Sequence, residues 1–441
     1  MSEFKFELIK SLLFLPMRKR KAKNVCILLA GGIVIYCLAK VIASLSGNRY
    51  RKSGLLLNKD NKHRWQSSNR FRLKCTPKRN VVFVKTHKTG SSTVTNIFHR
   101  HGDKNDLVFA LPRDGQFRLN WPWSMRNDSF YLPKGVQPNI ICHHGRYDRE
   151  TLGRIMPRDT IYVTILRHPA KQYESTFNYM GFDKLLGIQD QTNPLSKFLE
   201  KPEKFLVHYL LNEDLRVNSD RLKLIQNGMA FDLGLNSTSF NESVEIKSFL
   251  KKLRSELDLV LIAEFFDESL VLLKDLLCWP LQDLTYFKLN VRKHQGNTNF
   301  SAKTMRNMAR WNKVDFLLYR QFLDILKKKI ATKTLSKDGP RFQEEIKALR
   351  VANVRMRELC LRNVSKTITL QYGVVVNKME LNGRLDPSTR AMCDEMRRSE
   401  VDYIKFLRDK QSNFVWTKFL NRTRDAVISL LRFLSEFLSK A

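Results

Sequence analysis

From Arg79 to about Asn290, short apolar runs alternate with amphipathic stretches. VVFV (81–84), LVFA (107–110), NIIC (139–142), TIYVTIL (160–166) and LDLVLIA (257–263) read as buried strands. Between them, 91–101 and 265–277 carry apolar residues at three- and four-residue spacing, as in FFDESLVLLKDLL. Val94, Ile97 and Phe98 share one face of the first of these helices, and Gly102 is expected to end it. The alternation predicts an α/β fold with a mainly parallel sheet. Beyond 301 the pattern is helical, over 302–331, 341–361, 396–420 and 424–440. No internal repeat interrupts this order.

The N-terminus has a different texture. VCILLAGGIVIYCLA (25–39) carries no charge, and only Lys40 interrupts its continuation to Ser46. As one helix, 24–45 would reach about 33 Å, enough to cross a hydrocarbon core of about 30 Å. A cleaved signal peptide with its site near Ser44–Ser46 is the alternative. The long leading segment and full-length span favour an uncleaved anchor. Seven basic residues precede the span and six follow within about twenty positions, so charge alone barely orients it. The expected order is a tail (1–23), a membrane anchor (24–46), a basic stem (47–78), a catalytic core (79–300) and a helical C-terminal part (301–441).

Composition narrows the partner. The chain of 441 residues holds 78 Lys and Arg against 43 Asp and Glu, a net charge of +35. With 43% hydrophobic residues it can build a real core, and seven Cys in this length exclude a disulfide scaffold. A chain this basic expects an anionic partner: nucleic acid, a membrane surface, or a small phosphate- or sulfate-bearing molecule. Beyond the span lie sequons at Asn127, Asn236, Asn241, Asn299, Asn363 and Asn421, and five of the Cys. LGLNSTSFNES reads as a polar surface loop suited to glycan at Asn236 and Asn241.

Candidate chemistry begins at VVFVKTHKTGSSTVTNIFHRH (81–101), a strand running through a polar loop into a helix. Free backbone N–H groups and the helix dipole converge at such a junction and favour an anion. Lys85 and Lys88 precede Gly90, so this is not the G-x-x-x-x-G-K-[ST] order of nucleotide-binding loops. A second strand, loop and helix, TIYVTILRHPAKQYESTFNYMG (160–181), puts Arg167 at the strand end and Ser175 on the helix. Arginine offers a fork for phosphate oxygens, and serine adds a donor. His99, His101, His143 and His144 cluster in sequence, but no Cys/His/carboxylate set shows metal-ligand spacing, so no metal is expected.

Four blocks in order, KTHKTGSST, NIICHHGRY, ILRHPAKQYESTFNYMG and LIAEFFDESLVLLKDLLCW, resemble the Golgi galactose-3-O-sulfotransferases within the sulfotransferase superfamily. The resemblance runs from about Asn80 to the C-terminus. It implies a P-loop sulfotransferase-like parallel sheet flanked by helices and a 3′-phosphoadenosine 5′-phosphosulfate donor. It also implies a galactose-ended glycolipid or glycan acceptor, with no role for nucleic acid. Lys85, Thr86, His87, Lys88, Thr89, Gly90, Ser91 and Ser92 match the 5′-phosphosulfate loop, while Arg167 and Ser175 match the 3′-phosphate positions. His144 matches a histidine associated with the general base, with His87 as its competitor. Lys85 is the candidate for stabilising the leaving phosphate, and Lys88 is second. His143 stands where the glycolipid-sulfating members carry Asn, and His168 where they carry Asp; both changes bear on the acceptor more than on sulfuryl chemistry.

The family's type II topology would place the catalytic part in the Golgi lumen, where oxidation is permitted. Cys360 and Cys393 are then expected to pair and Cys142 to stay reduced inside the sheet. A membrane-tethered P-loop kinase and a non-enzymatic anionic-glycan-binding protein are the competing readings. The apolar face of 424–440 (Val427, Leu430, Leu431, Leu434, Phe437, Leu438) suits docking on the core or lying on a membrane.

Overall fold

The computed structural model describes residues 75–412 except 114, 134, 191, 213–218, 290–299, 363–366 and 370–374. The expected anchor, most of the stem and the 424–440 helix lie outside these residues. Among the described residues no helix is long and apolar enough to cross a membrane.

Four parallel strands, β1 (Val81–Val84), β2 (Ile140–Ile141), β3 (Ile161–Leu166) and β4 (Leu259–Ile262), are ordered β2-β1-β3-β4. Nearly every residue in them is buried, as a sheet covered on both faces requires. The flanking helices that matter here are α1 (Ser91–Lys104), α2 (Pro169–Tyr179), α3 (Ser243–Glu256), α4 (Phe266–Leu277), α5 (Ala302–Trp311), α6 (Lys313–Leu335), α7 (Gly339–Cys360) and α8 (Pro387–Arg397). A further helical stretch covers 400–412. The chain leaves β1 towards β2 on one side, then crosses to β3 on the other. Loops after β1 and β3 therefore diverge, opening a crevice at the carboxyl ends of these neighbours.

Four of the five expected strands form this sheet, and LVFA does not. Phe109 makes only an isolated bridge to Ile140. The Gln411 side chain accepts from Phe109 N–H at 2.8 Å and donates to its carbonyl at 3.1 Å. An amide that satisfies both backbone groups of Phe109 occupies the place of a neighbouring strand.

Gly102 does not end α1, which continues to Lys104. A Cβ there would stand 2.3 Å from Phe109 Cζ, so the glycine serves close packing within the helix. The single helix expected over 302–331 breaks at Asn312, whose side chain accepts from Asn227 N–H at 2.8 Å. The expected 396–420 helix is also interrupted, between α8 and 400–412. Cys360 and Cys393 are bonded as expected, and Cys142 is a buried free thiol. A second bond, Cys75–Cys278, joins the entry to β1 with the end of α4.

Asp315 on α6 is buried and accepts from the N–H groups of Met229 and Ala230 at 3.2 and 2.8 Å. Burial pushes its carboxyl up to about 7, against the lowering effect of those bonds. A raised folded-state value means stability present below the ordinary 3.8 and lost as pH climbs through about 7. Asp315→Asn should flatten this dependence. Between about pH 5 and pH 8, the wild-type Tm should fall roughly 2–6 °C more than the variant's. Parallel slopes in calorimetric scans would show that the carboxyl titrates normally.

Candidate functional site

The loop after β1 closes on itself. Thr86 donates from Oγ1 to the Ile165 carbonyl at 2.5 Å and shares a 2.9 Å hydrogen bond with Thr89 Oγ1. Ser91 Oγ donates to the Thr86 carbonyl at 2.7 Å. These three hydroxyls shape the loop, and the backbone is left to face a ligand. Lys88 and Gly90 adopt left-handed conformations, at φ 62° and 86°. Gly90 caps α1 without any side-chain hydrogen bond to its first turn. The result is a helix N-terminus at the carboxyl end of the central strand, with the donor groups and dipole an anion site needs.

Lys85 directly follows β1 and is 1% exposed. Its ammonium contacts Glu400 Oε2 at 2.8 Å, Thr95 Oγ1 at 3.2 Å and Ser92 Oγ at 3.4 Å. Glu400 also accepts from His143 Nδ1 at 3.1 Å. Burial alone would raise the Glu400 carboxyl. The Lys85 charge and the His143 hydrogen bond outweigh it and hold the group well below the usual carboxylate range.

His144 and His87 stack with ring centroids 3.9 Å apart. His144 Nδ1 lies 3.2 Å from the Lys85 carbonyl, which can only accept, so Nδ1 carries the proton and Nε2 keeps its lone pair. Burial, then the neighbouring His87 and Lys85, hold the His144 imidazole well below its ordinary value and hence neutral. His87 is fixed from behind by Asp232. That carboxylate accepts from the His87 backbone N–H at 2.7 Å, from its Nδ1 at 2.9 Å, and from Trp121 Nε1 at 2.9 Å.

Arg167 directly follows β3, and its Nη1 donates to the Lys88 carbonyl at 3.2 Å. That bond ties the two loops together across the crevice. Ser175 lies buried on α2, one turn beyond Gln172, whose Nε2 donates to the His87 carbonyl at 3.0 Å. The structure thus gathers Lys85–Ser92, His144 and Arg167 around one junction. His143 instead points under the loop at Glu400 and is 2% exposed. His168 sets its ring edge-on to Phe316 and Tyr319 while its backbone N–H donates to Glu264.

Sequence reasoning missed Glu400 and Asp232. They reach the loop from 315 residues beyond Lys85 and 145 beyond His87, with no local motif to mark either.

The sequence model described as galactose-3-O-sulfotransferase matches residues 14–411. Galactosylceramide sulfotransferase of Homo sapiens is 36% identical over 292 residues, 65% of each chain, so that match spans about two thirds of the relative's length. Galactose-3-O-sulfotransferase 2 of Sus scrofa is 33% identical, over 76% of this chain and 85% of its own. Galactose-3-O-sulfotransferase 3 of Homo sapiens is 31% identical, over 77% and 82%.

Proposed function

The chain belongs to the galactose-3-O-sulfotransferase family, and from that premise we propose that it sulfates the 3-hydroxyl of a galactose residue on a glycolipid or glycoprotein glycan. The donor in this reading is 3′-phosphoadenosine 5′-phosphosulfate, which supplies the sulfuryl group and leaves as the 3′,5′-bisphosphate. The observation that carries the reading is the meeting of the Lys85–Ser92 loop, Arg167 and His144 at the carboxyl ends of adjacent strands.

The residues fit such a donor. Among the described residues the α1 N-terminus has no side-chain cap, and a Cβ at Gly90 would meet only Phe266 Cε2, at 4.0 Å. The loop backbone with Lys85 and Lys88 would hold the 5′-phosphosulfate, and Arg167 with Ser175 the 3′-phosphate. A sugar hydroxyl is a weak nucleophile, so a base must take its proton during attack. His144 serves as that base through Nε2, and its Nδ1 hydrogen bond to Lys85 keeps the needed tautomer. Lys85 offsets charge that develops on the leaving phosphate, and Glu400 orients the ammonium. His87, braced by Asp232, keeps His144 stacked in place. An uncleaved anchor at 24–46 would tether this site in the Golgi lumen as a type II membrane protein.

Arg167→Ala should weaken binding of the 3′,5′-bisphosphate by about 2–4 kcal/mol, roughly thirty- to a thousand-fold. Adenosine 5′-phosphosulfate, which lacks the 3′-phosphate, should bind nearly as before. Calorimetric titration of both ligands checks this; an equal loss for both would make Arg167 a purely structural residue and remove it from the donor site.

A further inference from the structure

Beneath the loop lies a polar cluster that the proposed reaction does not use. His99 sits two turns into α1, and Cys142 and His143 directly follow β2. All three are buried, with exposures of 1%, 0% and 2%. A ring nitrogen from each histidine and Cys142 Sγ lie within 4.8 Å of one another. Donor atoms at bonds of about 2.0–2.3 Å around one tetrahedral cation stand about 3.3–3.8 Å apart, so the three would draw together by up to about 1 Å on binding.

Two further observations point to a ligand. Among the described residues, Nε2 of His99 and Nε2 of His143 are both buried without a hydrogen-bond partner. Buried polar atoms are costly to leave unpaired, so two beside one thiol need an explanation. His143 also donates from Nδ1 to the Glu400 carboxylate, at 3.1 Å. The carboxylate fixes the tautomer in which Nε2 is bare, an arrangement that metal-binding histidines use to orient the ring and strengthen the ligand. Thr95 Oγ1 donates to the Cys142 carbonyl at 3.2 Å and holds that residue against α1.

We propose that His99, Cys142 and His143 bind a thiolate- and imidazole-preferring cation, zinc foremost, which pins the end of β2 to α1 beneath the Lys85 loop. On binding, the Cys142 S–H bond gives way to an S–metal bond and its proton passes to water. The histidines bind through neutral nitrogens, and nothing is oxidised or reduced. Two nitrogens and one sulfur suit zinc better than magnesium or calcium, which require oxygen ligands. The sequence could not show this site, because its ligands come from two elements that only the sheet brings together.

The full-length chain, purified without chelator, should carry about one zinc per molecule by elemental analysis. After chelation and addition of cobalt(II), a thiolate-to-cobalt charge-transfer band should appear. His99→Phe keeps an aromatic ring beside Phe109 and Tyr403, so it should fold yet bind no zinc and lose the band. Chelation should lower the Tm of the wild type and leave that of His99→Phe unchanged. If His99→Phe fails to fold, Cys142→Ala and the cobalt spectrum of the wild type decide the matter. A wild-type chain without zinc that also gives no thiolate band with cobalt would overturn the proposal. So would a folded variant with wild-type zinc content.

Discussion

Replacing His144 with alanine should lower single-turnover sulfation by about 10²–10⁴-fold while binding of the bisphosphate product stays nearly intact. The size follows from losing proton removal during attack by a weakly acidic hydroxyl. The selectivity follows from geometry: His144 meets the loop at its first residue, through the Lys85 carbonyl, and by stacking on His87, whereas the hydrogen bonds of Thr86, Thr89 and Ser91 that close the loop do not involve it. His87→Ala should behave differently. Its Nδ1 donates to Asp232, so truncation removes one of the three donors of that buried carboxylate, leaving the His87 backbone N–H and Trp121 Nε1, and takes the ring out of the loop; it should damage donor binding as well as rate. Rapid-quench sulfation alongside calorimetry separates the two variants. If His144→Ala keeps most of its activity, the base is His87, whose Asp232 contact then takes on the orienting role.

The second large effect concerns stability. Glu400→Ala would leave the Lys85 ammonium, with a side chain 0% exposed, facing the Ser92 and Thr95 hydroxyls alone among the described residues. Breaking one half of a buried ion pair costs about 3 kcal/mol or more, because the remaining charge stays desolvated. A fall in Tm of roughly 4–6 °C is expected. The double variant Lys85→Met with Glu400→Gln removes both charges and keeps an acceptor for His143 Nδ1. It should recover most of the lost stability and yet show no sulfation, since the charge near the leaving phosphate is gone. Equal destabilisation of the single and double variants in denaturant titrations would mean the pair is not what holds this corner.

Much of this architecture was legible in the sequence because it is local. VVFV, TIYVTIL and LDLVLIA announce buried strands by their own composition, and KTHKTGSST announces a loop between strand and helix by its position. Arg167 was legible for the same reason, as the residue at the next strand's end. What stayed hidden depends on partners far along the chain. LVFA has strand composition, yet it meets β2 through a single bridge at Phe109, and Gln411 takes the outward backbone groups of that residue. Gly102 looks like a helix terminator until Phe109 is seen pressed against it. Glu400 sits in an ordinary charged helix, and only the packing of 400–412 against the sheet turns it into the counter-charge of Lys85.

The most direct test of the account is transfer of labelled sulfate by the purified chain to a panel of acceptors: galactosylceramide, lactosylceramide and galactose-ended N- and O-glycans. With 3′-phosphoadenosine 5′-phosphosulfate, label should appear on the galactose 3-hydroxyl of at least one acceptor, and γ-labelled ATP should transfer nothing. Phosphate transfer from ATP, or no transfer from the sulfate donor to any galactoside by a folded protein, would contradict it.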